Sequence, residues 1–235
     1  MQFYDEEVPF LLRLGLFLTA KSRRKPSIVD LGCGDGRHIF ALYKEGLLTN
    51  AGEVVGVDIS KCRIERLSKE LPFVKGIVSD ATCVEELPCS SFDYLICSQL
   101  IEHVENDEVL VHEIRRLLKD NGLAYISSVI RRWYGVYIYH SDGSFKLDPT
   151  HSREYSCEDE LEAVIAKKGF QILSVRTQHV TFPILDLLVR LLIEIGIMKP
   201  NQKFFSSNKN PVKLRRLRVP VVGYKSIEVL AKKNA

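Results

Sequence analysis

An alternation limits how this chain can fold. From Ile28 onward, short apolar runs are followed by stretches whose apolar residues recur at helical spacing. Ile28 to Leu31, Glu53 to Asp58, Phe73 to Ser79 and Phe92 to Ser98 read as strands, and so do Gly122 to Ile130, Phe170 to Val175 and Ile227 to Ala231. Between them, Ile39 to Leu47, Ile64 to Leu71 and Asn106 to Lys119 carry helical patterns. A further helix begins after Ser156, which pairs with Asp159 in capping-box fashion, and ends at Gly169. Strands that are apolar along nearly their whole length, alternating with helices, predict a parallel sheet covered on both faces. Ligands on such sheets bind outside the carboxyl ends of the strands.

What stands at those ends is therefore informative. After the first strand comes "VDLGCGDGR", with glycines at alternate positions Gly32, Gly34 and Gly36. Glycines admit close backbone approach, and a following helix N-terminus attracts negative charge. The dinucleotide fingerprint G-x-G-x-x-G is not met, because Gly36 falls one residue early and Asp35 puts a carboxylate where a pyrophosphate would lie. The phosphate loop G-x-x-x-x-G-K-[ST] is absent as well. A cationic, phosphate-free ligand suits the loop better. Asp58 ends the second strand, where a carboxylate can accept two hydrogen bonds from a ribose diol, and Ile59 beside it can lie on an adenine face. Asp80 can receive the adenine amino group, and the N–H of Ala81 can donate to a ring nitrogen.

In this order, "VDLGCGDG", "GVDIS", "SDA" and "FDYLICSQLIEHV" resemble class I S-adenosylmethionine (SAM)-dependent methyltransferases. "EIRRLLKDNGLAYIS" and "HSREYSCEDELEAVIAKKGFQI" extend the likeness to the small-molecule branch that contains quinone-biosynthesis enzymes. The resemblance runs roughly from Ile28 to Val175 and departs at Asp120-Asn121-Gly122, where the family often has Pro-Gly-Gly. It implies a Rossmann-like, doubly wound α/β fold with a seven-stranded sheet, mostly parallel, whose last strand is antiparallel. It implies SAM as cofactor and S-adenosylhomocysteine as its product. Asp30 would orient the glycine loop and help hold the SAM amino group, with Gly32, Cys33 and Gly34 against the methionine part. Asp58, Ile59, Asp80 and Ala81 would take ribose and adenine, and Cys97 and Ser98 would reach the methionine end.

Methyl transfer from a sulfonium needs an aligned nucleophile, and a base only where that nucleophile must lose a proton. His103 and His151 are the candidates for catalytic work, with His140 behind them; Trp133, Tyr134, Tyr137 and Tyr139 are candidates for an aromatic wall. No metal site is expected, because no Cys/His cluster has zinc-finger spacing. The whole chain, 1–235, reads as one methyltransferase domain. Residues 1–25 form an amphipathic helix with a basic linker, 28–178 the SAM-binding core, and 219–235 the last strand and tail. Residues 131–155 and 179–218 are substrate-side or lid insertions. From Phe182 to Met198 the only charges are Asp186, Arg190 and Glu194, one stripe on an otherwise apolar helix; it suits a lid, a dimer interface or a membrane-surface element. The acceptor is expected to be a small or lipid-like molecule. An RNA or protein acceptor remains open through two basic clusters, Lys21 to Lys25 and Lys209, Lys213, Arg215, Arg216 and Arg218. A SAM-binding protein without turnover is the other alternative. No segment has the length and apolarity of a transmembrane helix. Cysteine spacing suggests reduced thiols and a cytoplasmic setting, in a monomer or homodimer.

Overall fold

The computed structural model describes residues 7–135, 139–141, 144–146, 148, 150–183 and 218–234. In chain order the elements are α1 (Phe10–Ser22), β1 (Ile28–Leu31), α2 (Arg37–Lys44), β2 (Val54–Asp58), α3 (Lys61–Glu70), β3 (Lys75–Val78) and β4 (Phe92–Ser98). There follow α4 (Asp107–Leu117), β5 (Leu118–Arg131), β6 (Tyr139–Ser141), β7 (Ser144–Lys146), α5 (Glu158–Lys167), β8 (Phe170–Pro183) and β9 (Arg218–Lys233). The main sheet has seven strands in the order β3-β2-β1-β4-β5-β9-β8, and β6 and β7 form a separate hairpin. β1 to β5 run parallel, and β9 is antiparallel to both β5 and β8. The fold is therefore the expected Rossmann-like α/β sheet with an antiparallel last strand. Its strand order reverses between β1 and β4, and that crevice is where such sheets bind ligands.

Strand periodicity explains the two cores. Val29, Leu31, Val55, Val57 and Leu95 face α4 and α5, where Leu110, Ile114, Leu161 and Ile165 are fully buried. Ile28, Val54, Tyr94 and Ile96 point the other way, onto Leu12 and Leu16 of α1, Leu42 of α2 and Leu67 of α3. Each such side chain removed from water contributes about 1.5–3 kcal/mol before entropy is counted. Tyr94 also donates its hydroxyl to the Leu12 carbonyl at 2.8 Å, seating α1 on the sheet. Helix α1 is less cleanly amphipathic than its sequence suggests: Leu11, Leu12 and Leu16 are buried, yet Phe10 and Phe17 are more than half exposed. Among the described residues no helix is long and apolar enough to cross a membrane.

Two expectations need correction. β8 runs on to Pro183 and β9 begins at Arg218, so each extends well beyond its apolar run. Residues 179–183 are thus strand, paired with Arg218, Val219 and Pro220, rather than the start of an insertion. Their composition, polar at Arg176, Gln178 and His179, hid them: β8 is an edge strand, and its ladder to β9 replaces the missing apolar run. At the start of α5, Glu160 and not Asp159 closes the cap. It accepts from the Ser156 N–H at 2.8 Å and from the Ser156 hydroxyl. Within the segment 131–155 lies the β6–β7 hairpin. The apolar helix expected up to Met198, and the cluster Lys209, Lys213, Arg215 and Arg216, lie outside the described residues, as do Tyr137 and the side chains of Tyr139 and His140.

Candidate functional site

The glycine loop follows β1 because its backbone has to turn through the left-handed region. Gly32 and Gly36 have φ of +71° and +84°. A Cβ on Gly36 would lie 2.3 Å from Leu67 Cδ1, so α3 packs directly against the bare backbone. The loop is tied to the end of β2: Asp58 accepts the Gly34 N–H through Oδ2 and the Ser60 N–H through Oδ1, both at 2.9 Å. Each carboxylate oxygen has two lone pairs, so these bonds leave Asp58 one acceptor site per oxygen. Arg63 stands 3.9 Å from the same carboxylate. Asp35 serves a structural purpose that its sequence position did not suggest, because Arg66 holds it through Nε at 2.9 Å and Nη2 at 2.8 Å.

Behind the loop, Asp30 is buried, and its Oδ2 has no hydrogen-bond partner among the described residues. Burial, and then the charge of Asp58, push its pKa up to about 8, with Arg37 opposing. Its Oδ2 thus lacks a donor, and Arg37 only partly offsets the cost of its charge.

A cleft of about 520 Å³ opens over the carboxyl ends of β1, β2 and β3, and its wall brings together Gly32, Asp58, Ile59, Asp80, Ala81 and His103. Ile59 is 75% exposed, a large apolar side chain without cover in the cleft. Leu100, Val104 and Val109 line the facing side. Asp80 Oδ1 accepts from the N–H and the hydroxyl of Thr82, both at 2.8 Å, which fixes the turn that presents Ala81.

Other expected residues lie elsewhere. The Cys33 and Cys97 side chains are buried in the two cores, and burial pushes both thiols up, so the side chains stay neutral. Ser98 bonds His38 Nε2 and Ser127 Oγ, each at 2.9 Å. Burial, with Arg37 nearby, lowers His38 to about 4, so it is a neutral partner. Sequence reading passed over His38, whose only signal is its place in the first turn after the glycines. Trp133 is 93% exposed and meets Tyr134 edge-on, covering nothing among the described residues.

His103 lies next to the segment 150–155, which is pinned in place. Arg131 N–H donates to the Tyr155 carbonyl at 2.8 Å, Tyr155 donates its hydroxyl to Asp107 at 3.0 Å, and the N–H groups of Ser152 and Arg153 donate to the Glu102 carbonyl. This brings the rings of His103 and His151 to 4.9 Å, edge to face. His103 Nδ1 bonds the Thr150 hydroxyl at 3.0 Å, and His151 Nδ1 bonds Glu154 at 2.8 Å. Burial, with the His151 charge, lowers the pKa of His103. Glu102, fully buried beside them, is pushed up to about 7 by desolvation. Sequence reading missed Glu102 and Glu154; the available signal was an acid inside an apolar run, directly before His103.

The methyltransferase-domain family profile matches residues 29–126, from β1 into β5. The ubiquinone biosynthesis O-methyltransferase of Alkalilimnicola ehrlichii is 33% identical over 112 residues, covering 44% of this chain and 42% of that protein. The protein of that name from Azoarcus sp. is 25% identical over 158 residues, covering 63% of this chain and 65% of that protein. The chain thus spans less than two thirds of the length of either relative. The crystal structure of a SAM-dependent methyltransferase from Archaeoglobus fulgidus aligns with a TM-score of 0.56 at 21% identity, over 95% of this chain and 93% of that one, a likeness of fold. Residues 29–126 thus match a methyltransferase domain, and the ordered strand-end residues and sheet topology of the chain are similar to those of the class I SAM-dependent fold.

Proposed function

We propose that the chain transfers the methyl group of SAM to a hydroxyl oxygen of a small, partly apolar acceptor. The observation that carries this reading is the cleft at the β1–β4 reversal, where Gly32, Asp58 and Asp80 converge, two residues on from the buried Asp30, whose Oδ2 has no hydrogen-bond partner among the described residues. These residues fit SAM. Asp58 has acceptor capacity for the ribose diol, Ile59 and Val109 supply apolar surface for adenine, and Asp80 and the Ala81 N–H frame its polar edge. Asp30 supplies the negative charge that an ammonium group needs, and Gly32 and Gly34 offer bare backbone. Cys33, Cys97 and Ser98 contribute backbone towards the methionine end. When bound, SAM supplies a methyl carbon already activated by its sulfonium.

The acceptor class is supported by the relatives, whose name is that of an O-methyltransferase of ubiquinone biosynthesis. The apolar Leu100 and Val104 suit such an acceptor. His103, on the cleft wall with its pKa lowered by burial, can take a hydroxyl proton; His151 backs it. Residues 150–155 build the substrate side, within a single domain. An RNA acceptor gains little from the cluster at 21–25, since Arg23 pairs with the buried Asp93 at 3.2 Å and Lys21 lies over the Phe17 ring. A panel of acceptors tests the class: hydroxylated aromatic compounds should yield O-methyl products, and methylation of amines alone would contradict it.

The Asp30 assignment has a pH signature. Its folded pKa lies above the ordinary carboxyl value of 3.8, at about 8. The cofactor-free protein therefore holds a proton that the unfolded chain has lost. Stability from this group is full below pH 3.8 and is lost as pH rises to about 8. An ammonium ligand selects the ionised form. Affinity for S-adenosylhomocysteine should thus rise with pH by up to about tenfold per unit below 8 and level off above it. Calorimetry across pH 6–9 checks this (at roughly unit steps), and Asp30→Asn should flatten the profile; an unflattened profile would remove Asp30 from the ammonium site.

A further inference from the structure

We propose that Asp148 acts through the Thr150 hydroxyl to hold His103 in the tautomer with its proton on Nδ1, which leaves Nε2 as the basic nitrogen for the acceptor. The direction of each hydrogen bond follows from the protons available. Asp148 Oδ1 accepts twice from Thr150, from the N–H at 2.8 Å and from the hydroxyl at 2.6 Å. Burial works against the Asp148 charge, yet those bonds, and then His151 and His103, hold its carboxyl below the usual range. Asp148 is therefore ionised at neutral pH and can only accept. The one hydroxyl hydrogen of Thr150 points to it. Thr150 Oγ1, 3.0 Å from His103 Nδ1, is then an acceptor towards the ring, and so is the Thr150 carbonyl oxygen, 3.3 Å from the same nitrogen. His103 Nδ1 must be the donor. A neutral imidazole with its proton on Nδ1 carries its lone pair on Nε2. That atom makes no hydrogen bond among the described residues, and His103 is part of the cleft wall. The turn that presents Thr150 is anchored to the same place: the His151 N–H donates to the Asp148 carbonyl at 3.2 Å, and the Ser152 hydroxyl to the His103 carbonyl at 3.1 Å.

The consequence for catalysis rests on the proposed methyl transfer and adds two positioning residues to it. As the oxygen–methyl bond forms and the sulfur–methyl bond breaks, the electron pair stays on sulfur and the hydroxyl proton passes to His103 Nε2. The imidazolium so formed donates through Nδ1 to Thr150, whose hydroxyl donates to Asp148, so the carboxylate charge stabilises it until the proton leaves to solvent. Burial and His151 lower the pKa of His103, the Thr150 carbonyl and Asp148 raise it, and Arg63 of α3 lowers it. Asp148 is the acid in that set. Glu102 and Glu154 stand further out, bonded to Ser128 and to His151.

Two measurements on the full chain test this. Nitrogen NMR of protein carrying isotope-labelled histidine should show His103 at neutral pH with a protonated Nδ1 and a bare Nε2, and its titration should move to lower pH in Asp148→Asn. In turnover with a hydroxylated aromatic acceptor, Asp148→Asn and Thr150→Val should each lower kcat at least about tenfold. In Asp148→Asn the acid limb of kcat should also move to lower pH, which the loss of a purely structural turn would not do. Affinity for S-adenosylhomocysteine should stay unchanged and reports that each variant is folded. Thr150→Ser, which keeps the hydroxyl, should restore what Thr150→Val loses, and Asp148→Asn should have a much smaller effect in the Thr150→Val background. A His103 proton on Nε2 with a bare Nδ1, an unmoved titration in Asp148→Asn, or equal losses from Thr150→Ser and Thr150→Val would each overturn the inference. A parent chain that binds S-adenosylhomocysteine yet methylates no hydroxyl would instead strike the functional reading, and the NMR measurement would still decide the tautomer.

Discussion

Replacing Asp58 by Ala is expected to weaken binding of S-adenosylhomocysteine by at least about 100-fold, because two charge-assisted hydrogen bonds to a ribose diol are lost at about 1.5–3 kcal/mol each. The same carboxylate holds the Gly34 and Ser60 N–H groups at 2.9 Å, so its removal also frees the glycine loop that the cofactor must meet. Arg63, 3.9 Å away, also loses its counter-charge. Asp58→Asn separates these contributions. The amide keeps one acceptor oxygen and loses the charge, so its affinity should fall between the parent and Asp58→Ala. Calorimetric titration of both variants, with circular dichroism as the fold check, gives the answer. A folded Asp58→Ala protein with affinity within about threefold of the parent would remove Asp58 from the ribose site, since even one such bond is worth about tenfold.

The second large effect is on stability. Gly36→Val should cost about 3–5 kcal/mol: roughly 1–2 for holding a β-branched residue at a left-handed φ, and the rest for displacing buried neighbours. The residue sits at φ +84°, and its Cβ would be 2.3 Å from Leu67 Cδ1, whose side chain is fully buried. Gly34 is the control. Its φ of +56° carries a similar backbone cost, but a Cβ there would meet only the end of Arg63, at 3.6 Å. Gly34→Ala should therefore cost about 1–2 kcal/mol. Urea midpoints compare the two directly. A loss below about 1 kcal/mol for Gly36→Val would mean that α3 does not rest on this backbone.

The same pair of glycines shows why part of the site was legible in the sequence. The constraint at Gly32 and Gly36 is local, a backbone sign and a close approach, and local constraints leave their mark on residue type. Asp58 and Asp80 were visible because a strand end is a fixed address in a parallel sheet. Other parts depend on contacts distant in sequence. Asp35 looked like a bar to pyrophosphate until Arg66, on the neighbouring helix, was found to hold it. Cys33 and Cys97 sit at strand-end positions whose alternation turns their thiols into the two cores, which no spacing rule revealed in advance. Glu102 was passed over, because nothing near it in sequence tells of Ser128 or of the segment 150–155 that meets it. The outer halves of β8 and β9 escaped for a related reason: each finds its order in the other, 37 residues apart at Arg218 and Thr181. At Asp120-Asn121-Gly122, the departure from the family's usual turn costs little, since Asn121 takes the positive φ of 63° itself.

The central claim is that this cleft holds SAM for methyl transfer to a small molecule. Its most direct test is to incubate the purified chain with methyl-labelled SAM and a cell extract, then partition the products. The account predicts label in a small, organic-extractable hydroxylated compound, abolished in Asp58→Ala and insensitive to ribonuclease. Label recovered in RNA or protein, or no enzyme-dependent transfer while S-adenosylhomocysteine still binds, would contradict it.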